Sequence, residues 1–228
     1  CLFLGKSLAI EKKWKEAESQ LSSCQKHHPK DGVFSYYLGK MYVDRGDLKS
    51  AVRFFEDAHR REPDSTQAAA ALGLIYEQWE QLDHAIKVYD RHLKVKPQDA
   101  AILGRMVQAL FQSERFSDVV PFAERLVDMD PEDLNMRVKL GILYTESREF
   151  DKAISVFREL LQQAPQSDKI LYYLGAIHQE LEKFEDAIEY FTQIPTSSGL
   201  YQDSSFQMAN MLSGLAQNEF RQQGKSGT

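Results

Sequence analysis

Pro29, Pro63, Pro97, Pro131 and Pro165 stand 34 residues apart, and the same small and large residues return between them at the same offsets. A period of this size restricts the chain to a stack of similar units, each a pair of helices burying its apolar faces against its neighbours. Proline closes each pair because it lacks the amide that a continuing helix needs. An array of helix pairs is suited to presenting a surface and poorly suited to enclosing an active site.

The unit from Gly32 to Pro63 carries Ser35, Leu38, Gly39 and Tyr42, then Ala51, Phe55 and Ala58. The next unit repeats this as Leu72, Gly73, Tyr76, Ala85, Tyr89 and Pro97, and the one after Pro131 as Leu140, Gly141, Tyr144, Ala153, Phe157 and Pro165. Leu174, Gly175, Ala187 and Phe191 continue the series, and Leu4, Gly5, Leu8, Ala17 and Leu21 begin it. This pattern resembles the tetratricopeptide repeat, W-x2-L-G-x2-Y, then A-x3-F, then P, with only the tryptophan missing from the Gly32–Pro63 unit. The resemblance implies an all-α fold, a right-handed superhelical α-solenoid of tandem helix-turn-helix repeats. Six repeats are expected over residues 1–199, the first truncated at its N-terminus, followed by a capping helix over 200–222 and a disordered tail over 223–228.

The recurring residues have mechanical reasons of their own. A helix-interior glycine costs roughly 0.5 to 1 kcal/mol relative to alanine, so its return at 39, 73, 141 and 175 implies a close approach of the second helix. The alanines at 51, 85, 153 and 187 are expected to supply the matching flat spot, and the aromatic four residues later shares their face. A large residue before each second helix (Trp14, Leu48, Leu82, Phe116, Phe150, Phe184) is placed to pin the turn. The fourth unit departs from the pattern: Val107 stands for glycine, Val119 for alanine and Ala123 for the aromatic, an exchange of volume between facing helices that a densely packed core demands.

Composition narrows function by exclusion. No apolar run reaches the roughly 20 residues a membrane-spanning helix needs, so no integral membrane segment is expected. The formal net charge of −6 and the lack of a basic motif interleaved with aromatics argue against nucleic acid as a partner. The six histidines, His27, His28, His59, His84, His92 and His178, form no metal-ligand spacing. His178 occupies a tyrosine slot and reads as a packed core imidazole. No phosphate loop, nucleophile elbow or HExxH motif is present, so no enzyme and no cofactor are expected. Cys1 and Cys24 read as two small apolar residues in a packed helix pair, with a disulfide or a lipidated Cys1 as alternatives. The compartment expected is the cytoplasm, with the bacterial periplasm or a lipoprotein as the alternative.

In tetratricopeptide arrays the first helices line a concave wall, and the resemblance implies that the same registers do so here. These are Tyr36, Tyr37 and Lys40, then Gln67 and Leu74, then Arg105 and Gln108, then Asn135 and Lys139, and finally Lys169, Tyr172 and Tyr173. Tyrosines offer broad contact at low entropic cost, amides satisfy backbone groups and cations suit a carboxylate. The expected function is a non-catalytic protein-interaction scaffold that binds a peptide or partner segment in this groove. The alternatives are a lipid-anchored bacterial assembly factor for an envelope, secretion or pilus machine, and a module that self-associates through its exposed ends. The lysine and asparagine set of chaperone-tail readers is absent from any three consecutive units.

Overall fold

The computed structural model describes the backbone of residues 1–226 and the side chains of residues 1–217. It is all-α: thirteen helices and no strand among the described residues. The chain divides into two units, Cys1–Met129 and a second from Asp130 onward. The first holds α1 (Leu2–Ile10), α2 (Trp14–His27), α3 (Val33–Asp44), α4 (Leu48–Arg61), α5 (Thr66–Gln78), α6 (Leu82–Val95), α7 (Ala100–Gln112) and α8 (Phe116–Met129). The second holds α9 (Leu134–Glu146), α10 (Phe150–Gln163), α11 (Asp168–Glu180), α12 (Phe184–Thr192) and α13 (Tyr201–Ser226). Consecutive helices pack as pairs, α1 with α2 through α11 with α12, and α13 packs on α12.

The glycines show why each pair is close. A Cβ placed on Gly39 would lie 2.6 Å from the Phe55 ring, on Gly141 2.7 Å from Phe157, and on Gly175 2.6 Å from Phe191. At Gly73 it would lie 2.2 Å from Tyr89, and at Gly5 2.6 Å from Leu21. The surface facing each glycine is therefore the large residue of the second helix; the alanine one turn earlier is fully buried beside it. In the fourth pair Ala123 is fully buried where the ring would be, opposite half-buried Val107. Gly104, elsewhere on α7, faces open space.

The helix boundaries have local causes. Asp47, Ser65, Asp99 and Asp133 cap α4, α5, α7 and α9, each accepting from an amide three residues on, which satisfies a donor that has no intrahelical partner. The turn between the two helices of every pair passes through a positive φ, at Lys12, Gly46, Glu80, Glu114, Arg148 and Glu182. Only one of these is glycine, and the left-handed conformation is unfavourable for the other five. They are held there by the next amide, which bonds back across the turn, as Gln81 N–H does to the Tyr76 carbonyl at 2.8 Å and Glu149 N–H to Tyr144 at 2.8 Å. The residues expected to pin these turns, Trp14 to Phe184, are the first residues of the second helices and are half-buried.

Three features differ from the sequence expectation. Cys1 and Cys24 are joined by a disulfide, their Cα atoms 6.0 Å apart across the α1–α2 pair, a separation that suits the bond. Helix α13 runs to Ser226, through the region expected as a disordered tail from residue 223; residues 227–228 of that tail lie outside the described residues. His178 is buried as expected, but its ring also meets a carboxylate, with Nδ1 3.3 Å from Asp186. Burial keeps that imidazole below its usual range, so the contact is not that of a fully charged pair.

The glycine contacts make a paired prediction. Gly73→Ala is expected to lose about 1 to 3 kcal/mol in urea unfolding, because its methyl must displace a fully buried ring. Gly104→Ala, with nothing to collide with, is expected to be neutral or to gain up to about 1 kcal/mol from helix propensity.

Candidate interaction surfaces

The first helices carry the candidate residues at four positions, separated by three, one and three residues, that fall on one helix face. In the first unit Tyr36 and Tyr37 on α3 are half-buried and Lys40 is exposed. The two tyrosine rings meet edge to face at 5.3 Å, and Tyr36 also packs on Phe55 at 5.7 Å. Lys6 of α1 donates to the Tyr37 hydroxyl at 3.1 Å, and its ammonium lies 4.5 Å from the ring centroid. Lys40 lies 5.9 Å from the same centroid. Tyr37 therefore has two ammonium groups within about 6 Å of its ring centroid, at a range where the ring quadrupole attracts both.

The rest of this face is plainer. Gln67 and Leu74 on α5 and Gln108 on α7 are exposed. Arg105 differs from the expectation of a free cation: its guanidinium pairs with Glu77 of α5 at 3.5 Å. The same carboxylate accepts from the Tyr89 hydroxyl. Arg105 thus neutralises a partly buried acid and has less charge to offer a ligand.

In the second unit Asn135 and Lys139 on α9 and Lys169 on α11 are exposed, and neither lysine forms an ion pair with the described residues. Tyr172 and Tyr173 meet edge to face at 6.5 Å. Tyr173 lies flat on Phe157 at 5.2 Å and Tyr172 packs on Phe191 at 5.6 Å. The rings that seat on glycines also brace the tyrosines from behind. Burial, assisted by Tyr37 at Tyr36 and by Glu146 and Tyr172 at Tyr173, raises these phenols, so both remain neutral hydrogen-bonding groups.

Sequence reasoning missed Lys6 and Glu77. Lys6 stands 34 residues before Lys40, so the period itself locates it. Glu77 lies outside the face-defining positions, and no periodic signal marks it.

The α5 and α7 ends of this face are tied by a polar latch. His92 Nε2 lies 2.8 Å from Asp99 Oδ2, and its Nδ1 lies 3.1 Å from the Pro63 carbonyl. Asp99 also accepts from the Thr66 hydroxyl and, at 3.3 Å, from the Ile102 amide that opens α7. Thr66 begins α5 beside Gln67, so the latch fixes where α5 and α7 start. Among the described residues no cluster of histidine, cysteine and carboxylate groups could hold a metal, and no helix is long and apolar enough to cross a membrane.

Two family models match the chain: a tetratricopeptide repeat model over residues 42–109, and the model of anaphase-promoting complex, cyclosome, subunit 3, over residues 112–194. This chain is a tetratricopeptide-repeat protein. It is a protein-interaction module. Solved structures share the fold at low identity. YrrB, a tetratricopeptide-repeat protein with an unusual peptide-binding site, is 18% identical over 76% of this chain and 89% of its own, with a TM-score of 0.59. A chain of the Naa15/Naa10 complex bound to HypK-THB is 18% identical with a TM-score of 0.78; the match covers 96% of this chain but 34% of that one. MamA from Desulfovibrio magneticus RS-1 is 20% identical over 71% of this chain and 92% of its own, with a TM-score of 0.53. No curated protein matches the chain.

The latch makes acid stability predictable. Burial alone would raise the Asp99 carboxyl, but hydrogen bonds from Thr66, His92 and the Ile102 amide outweigh it and hold it at about 2. A depressed carboxylate stabilises the fold fully above its unfolded value near 4, and that contribution is lost as pH falls through about 2. Between pH 4.5 and 2, urea unfolding of the parent is expected to lose about 2 kcal/mol more than that of Asp99→Asn. Parallel losses in the two proteins would remove Asp99 from the acid response.

Proposed function

We propose that the first-helix faces bind an extended segment of a protein partner, each unit contributing its own patch. Support comes chiefly from the Tyr37 cluster, a half-buried aromatic ring approached by two ammonium groups, with Tyr36 packed edge to face against it. Such a surface suits a segment with an acidic side chain or terminal carboxylate beside an apolar one: the ring takes the apolar contact and Lys40 the charge. Gln67 and Gln108 add amides for backbone groups of an extended chain. In the second unit Lys139, Lys169, Tyr172, Tyr173 and Asn135 offer the same chemistry. That YrrB, with this fold, has a peptide-binding site is consistent with the reading. The Cys1–Cys24 disulfide favours a compartment that keeps disulfides oxidised, the periplasmic alternative, over the cytoplasm.

The segment is to be identified by affinity capture with mass spectrometry, and its affinity then measured as a synthetic peptide by calorimetry. Tyr37→Ala with Lys40→Ala is expected to weaken binding by about 10-fold or more, since loss of anchoring aromatic and cationic contacts at an interface costs upward of about 1.4 kcal/mol. Helicity should be unchanged. Equal affinity of variant and parent would overturn the assignment to this face.

A second reading, self-association, is supported by apolar side chains exposed on the terminal helices: Phe3 at 85% and Ile10 at 81% on α1, Phe206 at 66% on α13. Light scattering over a concentration series is expected to show the mass rising for the parent and staying monomeric for Phe3→Ser with Ile10→Ser or for Phe206→Ser. A concentration-independent monomer would overturn it.

A further inference from the structure

A cavity of about 630 Å³ opens on the second-helix side of the first unit, between α4 and α6. It shares no residue with the first-helix face. Its wall is unusually cationic for a chain of net charge −6. Lys87 and Arg91 stand one turn apart on α6, both exposed, and neither forms an ion pair among the described residues. Arg60 faces them from α4. Its guanidinium lies 3.1 Å from Asp57, but that carboxylate is shared with Arg61 at 2.6 Å and with the Ser35 hydroxyl, also at 2.6 Å. One acid thus serves two guanidinium groups, and Arg60 keeps charge to spare. The single acid in the wall, Glu56, accepts from the Tyr76 hydroxyl at 3.1 Å. His84 stacks on Tyr76 at 5.2 Å and adds an imidazole at the rim.

The wall also contains an unsatisfied group. His59 lines the cavity, is fully buried, and neither of its ring nitrogens has a hydrogen-bond partner. A buried polar group without a partner costs about 1 to 3 kcal/mol, and buried polar groups in folded proteins are almost always satisfied. Burial first, then the charges of Arg91 and His92, push its imidazole down to about 4. Near neutral pH it is uncharged, with one N–H to donate and nothing in the protein to receive it.

We propose that this cavity is an oxyanion site that takes a phosphate group, held by Arg60, Lys87 and Arg91. A phosphate monoester carries close to two negative charges near pH 7 and three acceptor oxygens, enough to engage all three cations together. A single carboxylate offers half the charge and two oxygens. The cavity volume lies within the range of small-ligand sites. It exceeds what a phosphate ion fills, leaving room for the residue that carries the group against Val88, Leu72 and Pro63. The ligand is therefore a phosphorylated side chain of a protein partner or free phosphate, and the two differ in what the apolar wall adds.

The test is an NMR titration of the whole chain at pH 7 and low ionic strength with three probes. These are inorganic phosphate, a glycine-flanked phosphoserine peptide and the same peptide with glutamate in place of phosphoserine. Inorganic phosphate is expected to cause saturable shifts at Lys87, Arg91 and the His59 ring. Lys87→Ala with Arg91→Ala, two exposed positions, should weaken binding at least about 10-fold at an unchanged urea midpoint. Tighter binding of the phosphopeptide than of phosphate assigns a phosphorylated partner; equal binding assigns the free ion. Shifts that do not saturate, shifts unaltered by the double substitution, or a glutamate peptide that binds as well as the phosphopeptide would each overturn the proposal. Tyr37→Ala with Lys40→Ala leaves this site intact, so a failure of the first-helix reading and a failure here are separately visible.

Discussion

Every helix pair but one closes on a large side chain of the second helix resting where a Cβ of the first would be. Gly39 under Phe55, Gly73 under Tyr89, Gly141 under Phe157 and Gly175 under Phe191 are the same contact made four times, with Gly5 under Leu21 as its smaller form. The contact sets the distance between helices, because a ring cannot seat on a helix whose surface is raised by even one methyl. It also sets rotation. With the glycine and the preceding leucine turned toward the second helix, the residues two and three before the glycine and one after it are turned away. Tyr36, Tyr37 and Lys40 occupy those positions around Gly39, and Tyr172, Tyr173 and Ala176 occupy them around Gly175. The presented face is a geometric consequence of the packed one.

The exception shows which part of this constraint is volume. In the α7–α8 pair the bulk has moved from the second helix to the first, with Val107 opposite Ala123, and the pair still forms, its α8 running unbroken through Pro121. Total volume is kept while the shape of the contact changes, which cores tolerate. The boundary between the two compact units falls at Met129, directly after this pair.

What the sequence makes legible follows from what is periodic. Prolines, glycines, alanines and rings recur because each solves a problem posed again in every pair, so helix pairing and the face carrying Tyr36, Tyr37, Tyr172 and Tyr173 can be read directly. The left-handed turns are equally periodic, yet residue type hides them. Lysine, glutamate and arginine fill five of the six positions, and only Gly46 advertises the conformation; the backbone bond across the turn, not the side chain, holds the geometry. Pairs formed once are not legible either. The disulfide, which the sequence offers only as an alternative, the engagement of Arg105 by Glu77 and the grouping of Arg60 with Lys87 and Arg91 each depend on a single coincidence of positions on different helices, and no offset repeats to announce them.

Buried polar groups explain how nearly interchangeable units are told apart. Leucines, alanines and rings at equivalent slots would pack almost equally well if one pair slipped past another. His92 occupies a slot that holds Ala58 one period earlier, and its partners Asp99 and the Pro63 carbonyl meet at one place in the array, where the Thr66 hydroxyl donates to the same carboxylate. Misplacing α6 would strand an imidazole and a carboxylate in an apolar environment, at a cost of several kcal/mol. The satisfied latch therefore specifies which helix follows which, beyond what it adds to stability. His59, whose ring centroid lies 6.2 Å from that of His92, bears the same desolvation without a partner inside the protein. That uncompensated cost falls on the wall of the cavity where Arg60, Lys87 and Arg91 converge.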